Sequence, residues 1–311
     1  MSLSRWSDNT EKSMEEIISN MLNYEEWNIS VTDPLTDEDL RYNITKAFEN
    51  NKVIELNGAE INYNIINYEY ERVRTGEESN EMRSSRIHSI AGYIIVYSDN
   101  VRTQYITNKP NNDTTKTVLR KINNYTSQGE IKSNPFQITE DFFIWMISKV
   151  LNSTNESIDE SSHLVIKKIV GFKGSSHDQL AEVIGSGNRI MNALSTLAFL
   201  FENEEVTYVK PVIEYKSHTI ELFLKLSGSI DINFENYLGD YFMDPPEELT
   251  AKVVLMVALE SIPNIIDSYG NDIANENWSI NQKIELIKGI GESIQAKVNE
   301  KVSRLSNTGD F

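Results

Sequence analysis

The stretch VIELNGAEINYNIINYEYERV, residues 53–73, decides the fold. Asn57-Gly58 separates a short apolar run from a longer alternating one. A two-residue hairpin turn needs positive φ at both central positions, and Asn followed by Gly meets that need at least cost. The segment therefore predicts two antiparallel strands. A second hairpin is expected around Asp99-Asn100, between GYIIVY (92–97) and VRTQYI (101–106), giving a first sheet of about four strands.

Working outward, the spacing of apolar residues predicts helices over Thr10–Trp27 and Thr36–Phe48, the second behind a Thr36 cap. Further helices are expected from Thr114 or Thr115 through Ile122, and over Thr139–Leu151. A strand LVIKKIVGF (164–172), a helix Asn188–Phe201, a hairpin of Glu205–Tyr215 with Thr219–Leu226, and a strand Ser229–Phe234 follow. Pro245-Pro246 precedes a helix from Glu247. Trp278–Leu305 reads as helical to the end, broken at Gly289 and Gly291, with an apolar stripe expected to be buried within the chain or across a dimer. Runs of strands and runs of helices, without βαβ alternation, predict an α+β fold: antiparallel sheets with helices packed on one side, a helical N-terminus and a long helical C-terminus. The polar, acidic stretch 152–162 divides an expected domain 1–151 from a second, 163–311.

The 311 residues carry 29 Lys and Arg against 47 Asp and Glu, a net charge of −18, and no Cys. Zero Cys excludes disulfides, thiolate metal sites and thiol nucleophiles. The opening MSLSRWSDNT lacks the basic and apolar runs of a secretory leader, and the longest uncharged apolar stretch, Ile190–Phe201, falls short of the ~20 residues of a membrane span. A soluble, cytoplasmic protein without membrane partners is expected. Seven N-x-S/T triplets match what chance gives at this Asn content and carry no glycosylation signal.

Charge is segregated along the chain. Residues 1–60 and 190–250 each sum to −8, whereas 102–132 sum to +4 and 163–189 to +2. The expected function is therefore a non-enzymatic, nucleic-acid-associating protein, with Arg102, Lys109, Lys116, Arg120, Lys121, Lys167, Lys168, Lys173 and Arg189 contacting phosphates of DNA or RNA. The alternative is an acidic protein-interaction or regulatory protein whose surface repels nucleic acid and binds a basic partner or a second copy. The two are separated by whether those bases converge on one surface or pair with acids.

LIKGIGESIQAKV (286–298) resembles a helix-hairpin-helix, in which a G-h-G turn, here Gly289 and Gly291, presents backbone N–H groups to a DNA phosphate; Gln295 departs from the usual small residue. Glu214-Tyr215-Lys216 has the E-x-K spacing of metal-dependent nucleases, a second alternative, but such triplets arise by chance at this composition. GFKGSSHDQ and IGSGN have glycines and hydroxyls but neither phosphate-loop spacing. His88, His163, His177 and His218 are dispersed, and no nucleophile elbow is present. No catalytic metal and no cofactor are expected.

Overall fold

A computed structural model of the protein describes residues 2–98, 101–152, 156–159, 161, 163–175, 182–187, 196, 198 and 205–307. The chain divides into two compact units, residues 1–136 with 244–255, and residues 137–243 with 256–311. Both are built on antiparallel sheets with helices, so the fold is α+β.

The first unit contains β1 (Ser2–Asp8), α1 (Met14–Leu22), α2 (Tyr24–Trp27), β2 (Tyr42–Lys46), β3 (Lys52–Leu56), β4 (Ala59–Val73), α3 (Arg83–Arg86), β5 (Ile87–Ser98), β6 (Thr103–Thr107), α4 (Asp113–Ile122) and β7 (Ile131–Ser133). Strand order is β1-β6-β5-β4-β2, with β3 also on β4 and β7 also on β1. Asn57 and Gly58 take φ of 50° and 73° and turn β3 into β4, as the dipeptide predicts. At 15 residues, β4 is long enough to pair β3 through Ala59–Tyr63 and β2 through Ile66–Tyr70. Its other edge runs beside β5 from Asn62↔Ser98 to Val73↔Ile87. The β5–β6 hairpin forms too, with its turn outside the described residues. One sheet face, carrying Trp6, Ile44, Ile66, Tyr68, Ile94 and Tyr105, packs in a single core with Met14, Ile17 and Met21 of α1 and Leu119 and Ile122 of α4.

Three expectations are corrected in this unit. Residues 36–48 are not a helix: Asp37 has φ of 55°, which no right-handed helix accommodates, and Tyr42–Lys46 pairs with β4 as β2. Leu40, Ile44 and Phe48 fit helical spacing, but cross-strand pairing overrides local pattern. The chain opens with a strand rather than a helix, because Leu3, Trp6 and Asp8 are buried and β6 supplies a partner edge. The cap of α4 is Asn112, whose side chain accepts the Thr115 N–H at 2.9 Å, not Thr114 or Thr115. The capping box of α1, Ser13 with Glu16, places its start four residues after Thr10.

The second unit contains α5 (Glu140–Asn152), β8 (Ser157–Asp159), β9 (Leu164–Ser175), β10 (Glu182–Ser186), β11 (Glu205–Tyr215), β12 (His218–Lys225) and β13 (Ile230–Leu238). After α6 (Pro246–Met256), most of which belongs to the first unit, come a π-helical turn Val257–Ser261, α7 (Ile262–Ala274) and α8 (Ile280–Asn307). Strand order is β10-β9-β11-β12-β13, with β8 on β9. The helix α5 contacts β9, β11 and α7. Phe142, Phe143, Trp145 and Met146 are fully buried, each contributing about 2–3 kcal/mol of hydrophobic stabilisation. The expected helix Asn188–Phe201 lies outside the described residues. Pro246–Ala274 is apolar and long enough to cross a membrane, but most of its most apolar 18-residue stretch is buried inside the protein, as in a core helix.

The C-terminal helix corrects one expectation outright. It runs unbroken from Ile280 to Asn307, so Gly289 and Gly291 lie inside a helix and the hairpin turn of a helix-hairpin-helix is not formed. Two glycines cost about 1 kcal/mol each relative to Ala but do not stop a 28-residue helix. Its apolar stripe is only partly buried within the chain: Trp278, Leu286 and Ile290 are, whereas Ile280, Ile284, Val298, Val302 and Leu305 are exposed.

Candidate protein-interaction surface

Asp141, in the first turn of α5, anchors the start of α8. Its Oδ2 accepts the Tyr269 hydroxyl at 2.6 Å and the Trp278 indole N–H at 3.0 Å, and Lys283 closes an ion pair on Oδ1. One turn along, Asp272 on α7 accepts the Trp145 indole at 2.8 Å and pairs with Lys149 at 2.6 Å. Partial burial acts to raise the pKa of Asp141, but the bonds from Lys283, Tyr269 and Trp278 win and hold it below the usual carboxylate range. Burial first, and then Asp141, push the Tyr269 hydroxyl up to about 12. Glu140 beside it has no such donors; burial raises its pKa, with the Val206 N–H as a partial offset. The ends of α5, α7 and α8 are thereby fixed against one another.

The fixed ends leave a groove between α5 and α8 of about 570 Å³, lined by Ile144, Ile280, Ile284, Leu286 and Ile287 and edged by Glu140, Asp141, Lys283 and Lys288. The helix rests on the unit along Leu286 and Ile290, one turn apart, so the neighbouring Ile280–Ile284–Ile287 line faces the groove. Beyond Ile290 no residue from 291 to 306 is buried, although Ile294, Val298, Val302 and Leu305 continue the apolar line. Among the described residues the open apolar groove is thus continuous with an exposed apolar helix face.

The residues expected to contact phosphates are placed differently. Arg102, Lys109, Lys116, Arg120 and Lys121 belong to the first unit, and Lys167, Lys168 and Lys173 lie on β9 of the second. Arg189 lies outside the described residues. Arg120 donates to the carbonyls of Ser127 at 2.9 Å and Thr126 at 2.8 Å, closing the loop after α4. Lys121 sits 4.4 Å over the Tyr70 ring and 5.2 Å over Tyr42; desolvation there, then the charge of Arg72, lower its pKa. Lys167 pairs with Glu214 at 3.0 Å. Lys109, Lys116 and Lys132 make no ion pair among the described residues. Of the nuclease triplet, Lys216 is spent on the buried Glu260 at 2.9 Å. Among the described residues no group of three or more His, Asp or Glu could hold a metal ion.

Sequence reasoning missed Asp141, Ile144 and Lys283 as parts of a site. The one available signal was the pair of acids opening α5 directly before a fully apolar face, which reads as ordinary first-turn helix chemistry. No protein-family model and no curated protein matches the chain.

Proposed function

We propose that this chain is a non-enzymatic protein-interaction protein whose second unit receives an amphipathic helix in the groove between α5 and α8. The observation that carries this reading is the line Ile280, Ile284 and Ile287, which borders an open apolar groove edged by Glu140, Asp141, Lys283 and Lys288. A helix laid along it would bury apolar side chains at i, i+3, i+4 and i+7 and set polar side chains against that mixed edge. The internal use of Arg120, Lys121 and Lys167 supports this reading over nucleic-acid association, since those groups already have partners inside the fold.

The test is selection of displayed helical peptides on the whole protein, with the Ile284→Glu variant as counter-selection. The reading expects peptides with an apolar stripe at helical spacing that bind wild type and lose the variant. Peptides that bind both forms equally, or none at all, would count against the groove.

A further inference from the structure

We infer that His218 is a pH-sensitive latch on the 3-10 turn Asp240–Met243, the last stretch of the second unit before the chain passes to the first. Neutral, it holds the turn closed; protonated, it releases it. The inference is independent of the groove and of what occupies it.

The latch is a relay of two hydrogen bonds. His218 opens β12 opposite Tyr215 of β11, is 5% exposed, and has Tyr237 and Tyr241 packed on its ring, with centroids 5.9 and 4.8 Å away. Its Nδ1 lies 2.8 Å from the Tyr237 hydroxyl, which also receives the Tyr241 backbone N–H at 3.3 Å. A hydroxyl that already receives an N–H has its one proton left to give, so Nδ1 is the acceptor and His218 is the neutral Nε2–H tautomer. The site has no slack. A Cβ at Gly239, whose φ is 156°, would stand 2.3 Å from Nδ1 and 2.9 Å from the Tyr237 hydroxyl oxygen, so the backbone itself closes that side of the ring.

A proton on Nδ1 reverses the first bond. The Tyr237 oxygen would then face two donors, Nδ1–H and the Tyr241 N–H, while its own proton needed a new acceptor in a packed site. Giving up the Tyr241 bond relieves the conflict. What is freed is a short turn whose internal bond runs from the Phe242 N–H to the Gly239 carbonyl at 3.0 Å.

Burial lowers the pKa of His218 from its ordinary 6.5 and outweighs the charges that face the ring. Asp240, on the turn, favours the imidazolium, but its carboxylate receives the Ser217 hydroxyl at 2.5 Å. Lys216 opposes it. Glu260, on the π-helical turn, favours it and is held by Lys216 at 2.9 Å. Tyr215, the strand partner, stays neutral because burial pushes its hydroxyl up. The latch therefore works on the acid side of neutrality.

Hydrogen exchange of the full chain at about pH 7.5 and about pH 5, expressed as protection so that the intrinsic pH dependence drops out, reads the latch directly. Protection of the Tyr241 amide should fall about tenfold at the lower pH, while amides in the middle of β11 and β12 keep theirs. The ceiling is about 30-fold, the ratio of imidazolium to imidazole 1.5 pH units below 6.5. His218→Asn, whose amide oxygen replaces Nδ1 as acceptor and takes no proton, should hold the turn at both pH values. Tyr237→Phe should leave it weakly protected at both. Equal wild-type protection at the two pH values, or a loss on acidification as large in His218→Asn as in wild type, would overturn the inference. Nitrogen NMR of the wild-type imidazole decides the matter even where a variant does not fold. The Nε2–H form at pH about 7.5, with a midpoint matching the loss of Tyr241 protection, supports the latch, and the Nδ1–H form overturns it.

Discussion

The indole N–H of Trp278 reaches back 137 residues to the carboxylate of Asp141, at 3.0 Å, and this bond fixes where α8 starts. Tyr269 and Lys283 converge on the same carboxylate, so one half-buried acid sets the angle between three helices.

Asp141→Ala should leave the Trp278 and Tyr269 donors without their acceptor. Allowing for partial exposure, the loss should be about 2 kcal/mol, and Asp141→Asn, which keeps an acceptor, should lose less. Urea unfolding followed by tryptophan fluorescence measures both. Equal stability of wild type and Asp141→Ala would show that the anchor does not hold the helix ends.

Acid should unfold the protein in a defined order. His218, buried and bonded to Tyr237 at 2.8 Å, has its pKa lowered by burial, so its contribution begins to fade as pH drops below the unfolded value of 6.5. Asp33 is held at about 2 by Arg86; Glu71, Asp141 and Asp272 are also held below their ordinary values. A depressed carboxyl stabilises the fold above its unfolded pKa and loses that effect as pH falls toward its folded one. Glu140 is raised and works in the opposite sense, one group against several lowered ones. Melting temperature should therefore decline modestly from pH 7 to about 5 and steeply between about pH 4.5 and 2. A flat profile across the lower window would contradict the assigned ion pairs.

Two glycines of the first sheet should respond unequally to alanine. At Gly58 an added Cβ meets nothing within 4 Å, so the cost is only the positive φ, about 1 kcal/mol. At Gly92 it would stand 2.6 Å from the buried Tyr68 hydroxyl and 2.6 Å from Asn108 Oδ1. Gly92→Ala should cost more than Gly58→Ala in thermal unfolding, and the reverse order would mean the Tyr68 ring is free to move aside.

Arg120→Glu and Lys121→Glu separate a structural role from a phosphate-contacting one. The Arg120 bonds to the 126–127 carbonyls and the Lys121 placement over Tyr42 and Tyr70 predict lower stability. They also predict no steep salt-dependent nucleic-acid binding by wild type for these changes to remove. Fluorescence-anisotropy titration of duplex and single-stranded oligonucleotides at two salt concentrations reads this. Tight binding that both variants abolish without destabilisation would restore the nucleic-acid reading.

Local chemistry made much of the fold legible. Asn57-Gly58 named its own turn, and the alternation through Ile66, Tyr68 and Tyr70 named β4. What stayed hidden depended on partners far along the chain. Tyr42–Lys46 is a strand because β4 extends beyond β3 and offers it an edge, and Ser2–Asp8 is one because β6 does the same. The apolar repeat of α8 was visible, but periodicity says only that a face is apolar, not what covers it. The groove was invisible for the same reason: Asp141 and Trp278 meet only once α5, α7 and α8 are packed.

The account stands on the groove between α5 and α8 being a surface that a partner helix covers, and hydrogen exchange of the full chain with and without a saturating, groove-selected helical peptide tests this most directly. The prediction is that the groove-lining turns around Ile144 and Ile284 exchange more slowly with the peptide present. Exchange that is equally fast in both samples would contradict it.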